Sequence, residues 1–273
     1  MAPLGQKNTI SIVTEKKWPL VKDIFKYLIV LAVVTWLMIN GTQQLGYHWQ
    51  WYRVPQYIFF MADHRITPGP LVQGLLITIR ITAVSLVLAF IFGLTAALMR
   101  LSRSLLARII ARGYLETVRN TPLLVQLFFI YFVVSPVFGF RGFASAVLAL
   151  SLFEGAYASE IFRAGILSIK RGQWEAAHSV GLNTYQTYRL IILPLALRRI
   201  LPPLTSQAVS LIKDSALVST IAIYDLTMQG QAIIAETFLV FEIWFTVAAI
   251  YLTMTLILSA TVFYMEKRLK IKS

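Results

Sequence analysis

Apolar residues gather in six long stretches, at roughly 24–40, 71–99, 122–138, 143–167, 203–229 and 243–265. A helix needs about 20 mostly apolar residues to cross a bilayer. All but the first reach or approach that length. The first is uninterrupted only from Tyr27 to Ile39, short enough for the apolar part of a signal peptide. It ends Met38, Ile39, Asn40, Gly41, Thr42, with no small-x-small cleavage site, and reads as an uncleaved span. The pattern predicts an all-α, polytopic membrane fold of about six transmembrane helices.

Composition agrees. Of the 273 residues, 58% are hydrophobic and 14% charged, against about a quarter charged in a soluble domain. The absence of cysteine excludes disulfides and thiolate metal sites. His48, His64 and His178 are scattered, so no metal cluster is expected.

A net charge of +13 could suit nucleic acid, but the positions of the charges argue otherwise. With a cytoplasmic N-terminus the inside segments are 1–26, 100–121, 163–202 and 266–273, and they hold 20 of the 25 Lys and Arg. The outside loops keep Arg53, Arg65 and Arg141, and Arg80 and Lys213 fall within spans. This positive-inside bias predicts both termini in the cytoplasm. The charge is topological, and no nucleic acid partner is expected.

Tyr47, Trp49, Trp51, Tyr52, Tyr57, Phe59 and Phe60 crowd the first outside loop. Interfacial aromatics sit at headgroup level. The loop reads as a surface-lying stretch, with a docking face for an external partner as the other reading. Residues 1–70 are taken as an N-terminal extension, 71–265 as one transmembrane domain and 266–273 as a basic cytoplasmic tail.

The inside segment 170–194 has its own design. Good helix formers run from Gln173 to Val180, with Glu175 placed toward the positive end of the dipole. Gly181 suits a left-handed helix end. Asn183 or Thr184 can cap a second helix, which Pro194 bends or stops. A helix–Gly–helix elbow of this kind presents a rigid knob to a partner.

Glu175, Ala176, Ala177, Gly181, Ile191, Leu193 and Pro194 stand at the spacing of the EAA loop, and the segment resembles that loop of ABC-importer permeases. More of the chain is similar to the polar amino acid (histidine/glutamate/glutamine-type) permease family. The resemblance covers Gly74 to Thr78, Arg119 to Gln126, Leu152 to Tyr157, Glu160 to Arg163 and Leu211 to Val218. It implies a five-helix core preceded here by one extra helix, in a bacterial inner membrane. It also implies two permease chains, identical or sister, two ATP-binding subunits docked on the EAA loops, and a periplasmic amino acid-binding protein. The chain has no G-x-x-x-x-G-K-[ST] phosphate loop, so ATP and Mg are expected on the partner and no cofactor on this chain.

Charges at membrane depth usually face the bundle interior or water. Glu154 and Glu160 lie in the fourth span, and Glu160 could pair with Arg163 three residues on. Lys213 and Asp214 stand in the middle of the fifth, with Gln207 and Ser210 on the same helical face as Asp214. Glu154 and Lys213 could meet the ammonium and carboxylate of an amino acid, or pair with each other as a gate. The turn Arg119 to Pro122 is expected to position the third span. A secondary transporter or channel is the rival class. It would show repeats and broken helices in both halves, and no repeat is seen.

Overall fold

The computed structural model describes residues 18–44, 46–62 and 65–269. Lys7, Lys16, Lys17 and His64, and Lys270 and Lys272 of the tail, lie outside the described residues. The chain divides between Trp49 and Gln50 into two compact units, where the sequence suggested a boundary at 70.

The first unit holds helix α1, Trp18–Gln44. Its stretch Ile24–Gly41 is long and apolar enough to cross a membrane. The Thr35 hydroxyl donates to the Leu31 carbonyl at 2.8 Å, which keeps a polar side chain satisfied inside the helix.

The second unit opens with a 3-10 turn at Trp51–Arg53, the short α2 at Pro55–Ile58, and two antiparallel strands, β1 at Phe59–Ala62 and β2 at Arg65–Pro68. Phe59 stands opposite Pro68, and Ala62 opposite Arg65. This short hairpin is a local addition to an all-α fold. Its aromatic and β-branched residues favour extended backbone, and pairing the strands satisfies their backbone groups.

Helix α3, Pro70–Leu101, and helix α7, Gly142–Leu167, form the central pair. Small residues allow the close approach. A Cβ on Gly93 would lie 2.8 Å from the Ala158 Cβ and 2.9 Å from the Gly155 carbonyl. Between them run α4, Leu105–Arg119, and an arm made of α5, Leu123–Phe129, a π turn at Ile130–Val134, and α6, Ser135–Phe138. Helix α4 meets that arm at 108°. Thr121 and Pro122 make the joint, since Pro122 cannot continue a helix through its missing N–H. Ile81, Leu127, Leu150, Leu211 and Val218 meet in the buried core.

After α7 come α8, Arg171–Ser179, and α9, Thr184–Thr187. A π turn at Tyr188–Ile192 leads into α10, Leu193–Asp214. Then follow a 3-10 turn at Ser215–Ile221, α11 at Leu226–Thr237 and α12 at Val240–Leu269.

Length and apolarity alone mark fewer than six spans among the described residues. Among the described residues, Ile24–Gly41, Pro70–Leu101, Gly142–Leu167 and Val240–Tyr264 are long and apolar enough to cross, and the bent pair makes up to 5. The expected run 203–229 is broken. Arg198, Arg199, Lys213 and Asp214 make α10 more polar than the helices just named, and it stops at Asp214. The Ser215 hydroxyl bonds back to the Ile212 carbonyl at 2.7 Å, tightening the turn. Ala222 then adopts φ +57°, and Asp225 caps a new helix by accepting from the Met228 N–H at 2.8 Å.

Candidate functional site

The segment 170–194 folds as a helix–Gly–helix elbow. Helix α8 ends at Ser179 with Val180 as its C-cap, and Gly181 follows in the left-handed region at φ +78°. Asn183 caps α9 reciprocally. Its carboxamide oxygen accepts from the Gln186 N–H at 2.9 Å, and its own N–H donates to the Gln186 side chain at 3.0 Å. Trp174 packs edge-on against Tyr188, with ring centroids 5.0 Å apart, and braces the two limbs.

The path from Thr184 to Asp214 stays helical, so Pro194 does not stop it. A proline crowds the carbonyl four residues earlier, and the wider π turn before Pro194 takes up that crowding. Ala177 and Ile192 are buried; Ala176, Leu193 and Pro194 are exposed, and Ile191 is half-buried. Of the two alanines, only Ala176 faces outward.

Glu175 sits in the second turn of α8, because the helix starts at Arg171 and has no acidic residue in its first turn. The dipole reading therefore gives way to an ion pair, Arg171 Nε to Glu175 Oε1 at 2.9 Å, on an exposed face. His178 Nδ1 lies 2.6 Å from the Trp174 carbonyl.

Glu154 is 1% exposed within α7. The Gln207 amide of α10 donates to its Oε2, and the Asp214 carboxyl lies beside it. Its Oε1 has no hydrogen-bond partner among the described residues. Gln207, Ser210 and Asp214 share one half-buried face of α10, as their spacing predicts. Lys213 does not join them. It is exposed, at the end of a helix and not mid-span, and makes no ion pair with Glu154 among the described residues.

Glu160, one and a half turns beyond Glu154, forms a separate hub. Arg163 Nε reaches its Oε2 at 3.2 Å, as expected. Arg100 from the end of α3 and Arg119 from the end of α4 converge on its Oε1, with Arg119 at 3.3 Å. Arg119 also lies over the Tyr157 ring, 5.6 Å from its centre. Thus three helices are tied to one carboxylate. Nothing in local sequence pointed to Arg100 or Arg119, which are 60 and 41 residues away from Glu160.

Three other polar contacts were not legible in the sequence. The Tyr251 hydroxyl donates to Asp225 at 3.2 Å, and the Leu226 N–H to the Thr78 hydroxyl at 3.2 Å, joining α3, α11 and α12. Buried Glu242 accepts from the Gln50 N–H at 2.6 Å. Asp225, before an apolar helical run, had a legible cap signal.

Residues 89–271 match the family described as the inner membrane component of binding-protein-dependent transport systems. The chain is 41% identical over 204 residues to the glutamine transport system permease protein GlnP of Escherichia coli (strain K12), covering 74% of this chain and 93% of the relative. It is 40% identical over 199 residues to the L-cystine transport system permease protein TcyB of Bacillus subtilis (strain 168), covering 72% and 85%. Among solved structures, an amino acid ABC transporter crystallised with histidines superposes with a TM-score of 0.68 at 38% identity, covering 73% of this chain and 94% of that one. The inward-facing MetNI methionine ABC transporter shares the fold, at a TM-score of 0.62 and 19% identity, over 74% and 96%. The arrangement of α3 to α12, the exposed elbow and these likenesses have one reading: the chain belongs to the inner membrane component family of binding-protein-dependent transport systems.

Proposed function

We propose that this chain is the transmembrane permease subunit of an ATP-binding-cassette importer for polar L-amino acids, and that its 170–194 elbow couples the importer to ATP hydrolysis. The supporting observation is the elbow itself, an exposed knob braced by the Trp174–Tyr188 contact and the Asn183 cap. A lever must transmit displacement without deforming, and these contacts supply stiffness.

Ala176 and Glu175 present the contact face, while Ala177, buried, seats α8 against the rest of the chain. Ile191, Leu193 and Pro194 carry the movement into α10. Closure of two ATP-binding subunits then swings two permease chains, identical or sister, between inward-open and outward-open states. ATP and its Mg stay on those subunits, and a periplasmic binding protein delivers the solute. Relatives named for glutamine and cystine support an amino acid cargo.

In the pathway, Glu154 with Gln207, Ser210 and Asp214 offers an acidic, hydrogen-bonding surface to an ammonium group. Lys213, exposed on another side of α10, is not part of that surface. Glu160 closes the cytoplasmic end through its arginines.

The test is co-purification of the ATP-binding subunit with wild type and with the Glu175→Arg, Gly181→Leu double variant. Wild type should hold the subunit in detergent, and the variant should insert in the membrane but lose it. Equal retention would remove the elbow from the coupling role. Uptake of labelled glutamine into proteoliposomes by the chain alone would favour a secondary transporter instead.

A further inference from the structure

Helix α4 has three faces. Ala111, Leu115 and Val118 are buried. Leu105, Leu106, Ile109 and Ile110 are each more than half exposed. Between these faces, at helical spacing, runs a stripe of Arg108, Arg112 and Arg119. Arg108 has its Nε buried without a hydrogen-bond partner among the described residues.

Beside the stripe opens a polar cavity of about 280 Å³, lined by Arg100, Arg112, Arg119, Glu116, Tyr157 and Glu160, among others. Three guanidiniums share the single charge of Glu160. Arg112 is exposed and makes no ion pair among the described residues, and Glu116 is occupied by the Asn120 amide at 3.2 Å. Three lining cations therefore face two carboxylates, one of which is also shared with Arg163, and the cavity favours an anion.

The position of α4 narrows the choice. The helix turns through 108° from the arm that follows it, and it lies in the arginine-rich 100–121 segment on the cytoplasmic side. A helix with one apolar and one basic face lies in the plane of the membrane interface. Basic pockets between helices on that side take anionic lipid headgroups.

We propose that α4 and this cavity bind an anionic phospholipid of the inner leaflet. The phosphate sits against Arg112 and Arg119, and the acyl chains lie over Leu105 and Ile109. Arg112 is the selective contact, because its charge is not spent on a protein carboxylate.

The chain has no cysteine, so Ile109→Cys gives a single labelling site. The permease–ATPase complex carrying a bimane there would be reconstituted with brominated phosphatidylglycerol or brominated phosphatidylcholine. At equal mole fraction, phosphatidylglycerol should occupy the site about fivefold better, the worth of one cation at the inner-leaflet surface. Arg112→Ala should bring the preference close to one, Arg112→Lys should retain most of it, and Arg141→Ala in an outer loop should leave it intact. Equal quenching by both lipids would overturn the proposal. So would an unchanged preference in Arg112→Ala, or loss of the preference on adding inorganic phosphate, which would make the site one for a free anion. Disulfide cross-linking of two permease chains through the unlabelled Ile109→Cys variant would overturn it as well, since the apolar face would then be covered by protein.

Discussion

Gly181 and Gly93 show two different reasons for glycine. At Gly181 the backbone is left-handed and a Cβ would meet nothing within 4 Å. Gly181→Ala therefore raises only backbone strain, about 1–2 kcal/mol, and it acts on the elbow alone. The expected outcome is weaker retention of the ATP-binding subunit with little change in the melting temperature of the permease. At Gly93 the backbone is ordinary, and the obstacle is the α7 backbone at the Gly155 carbonyl. Gly93→Ala must push α3 and α7 apart at about 1–3 kcal/mol. It should lower the melting temperature measurably and leave ATPase retention per folded molecule unchanged. Gly181 was legible because a left-handed turn is a local demand. Gly93 was not, because its neighbour arrives from a helix 62 residues later in sequence, as with Ser85 and Val147 on the same pair.

Among the elements, the elbow depends on contact between its limbs. The Trp174–Tyr188 edge-to-face pair should contribute about 0.5–1.5 kcal/mol beyond its burial. Trp174→Ala and Tyr188→Ala should each weaken binding of the ATP-binding subunit. In the double variant the two effects should fall short of their sum by that amount, measured as a double-mutant cycle on subunit dissociation. Full additivity would mean that the rings do not brace the elbow. The capping box at Asn183 and the end at Gly181 follow from residue chemistry within four positions. The π turn at Tyr188–Ile192 does not. Pro194 announces a disturbance, but whether the chain stops, kinks or widens is settled by what the two limbs pack against. The same holds after Asp214, where an apolar run that reads as a continuing span instead tightens and turns at Ala222.

For the whole molecule, Glu160 has the widest reach, since α3, α4 and α7 all meet at its carboxylate. Glu160→Gln leaves three guanidiniums facing one another. The side chain is 29% exposed, so the loss should fall between the ~1 kcal/mol of an exposed pair and the ~3–5 kcal/mol of breaking a buried one. Thermal melting of the purified complex should show it. Salt should narrow the gap between variant and wild type, because screening weakens repulsion among partly exposed charges. A salt-independent gap would point to packing instead of charge.

Membrane residence and the elbow could both be read from residue order. Each depends on interactions that are local or summed along the chain: the transfer of apolar runs to lipid, and caps within one turn. The partners of the buried charges could not. Glu154 meets Gln207 across 53 residues and leaves Lys213 outside. Glu160 gathers arginines from three helices, and the apolar run 203–229 breaks where α10 ends at Asp214. Those outcomes belong to packing, because a buried charge takes whichever polar group the folded helices bring within reach, and sequence distance carries no information about that meeting.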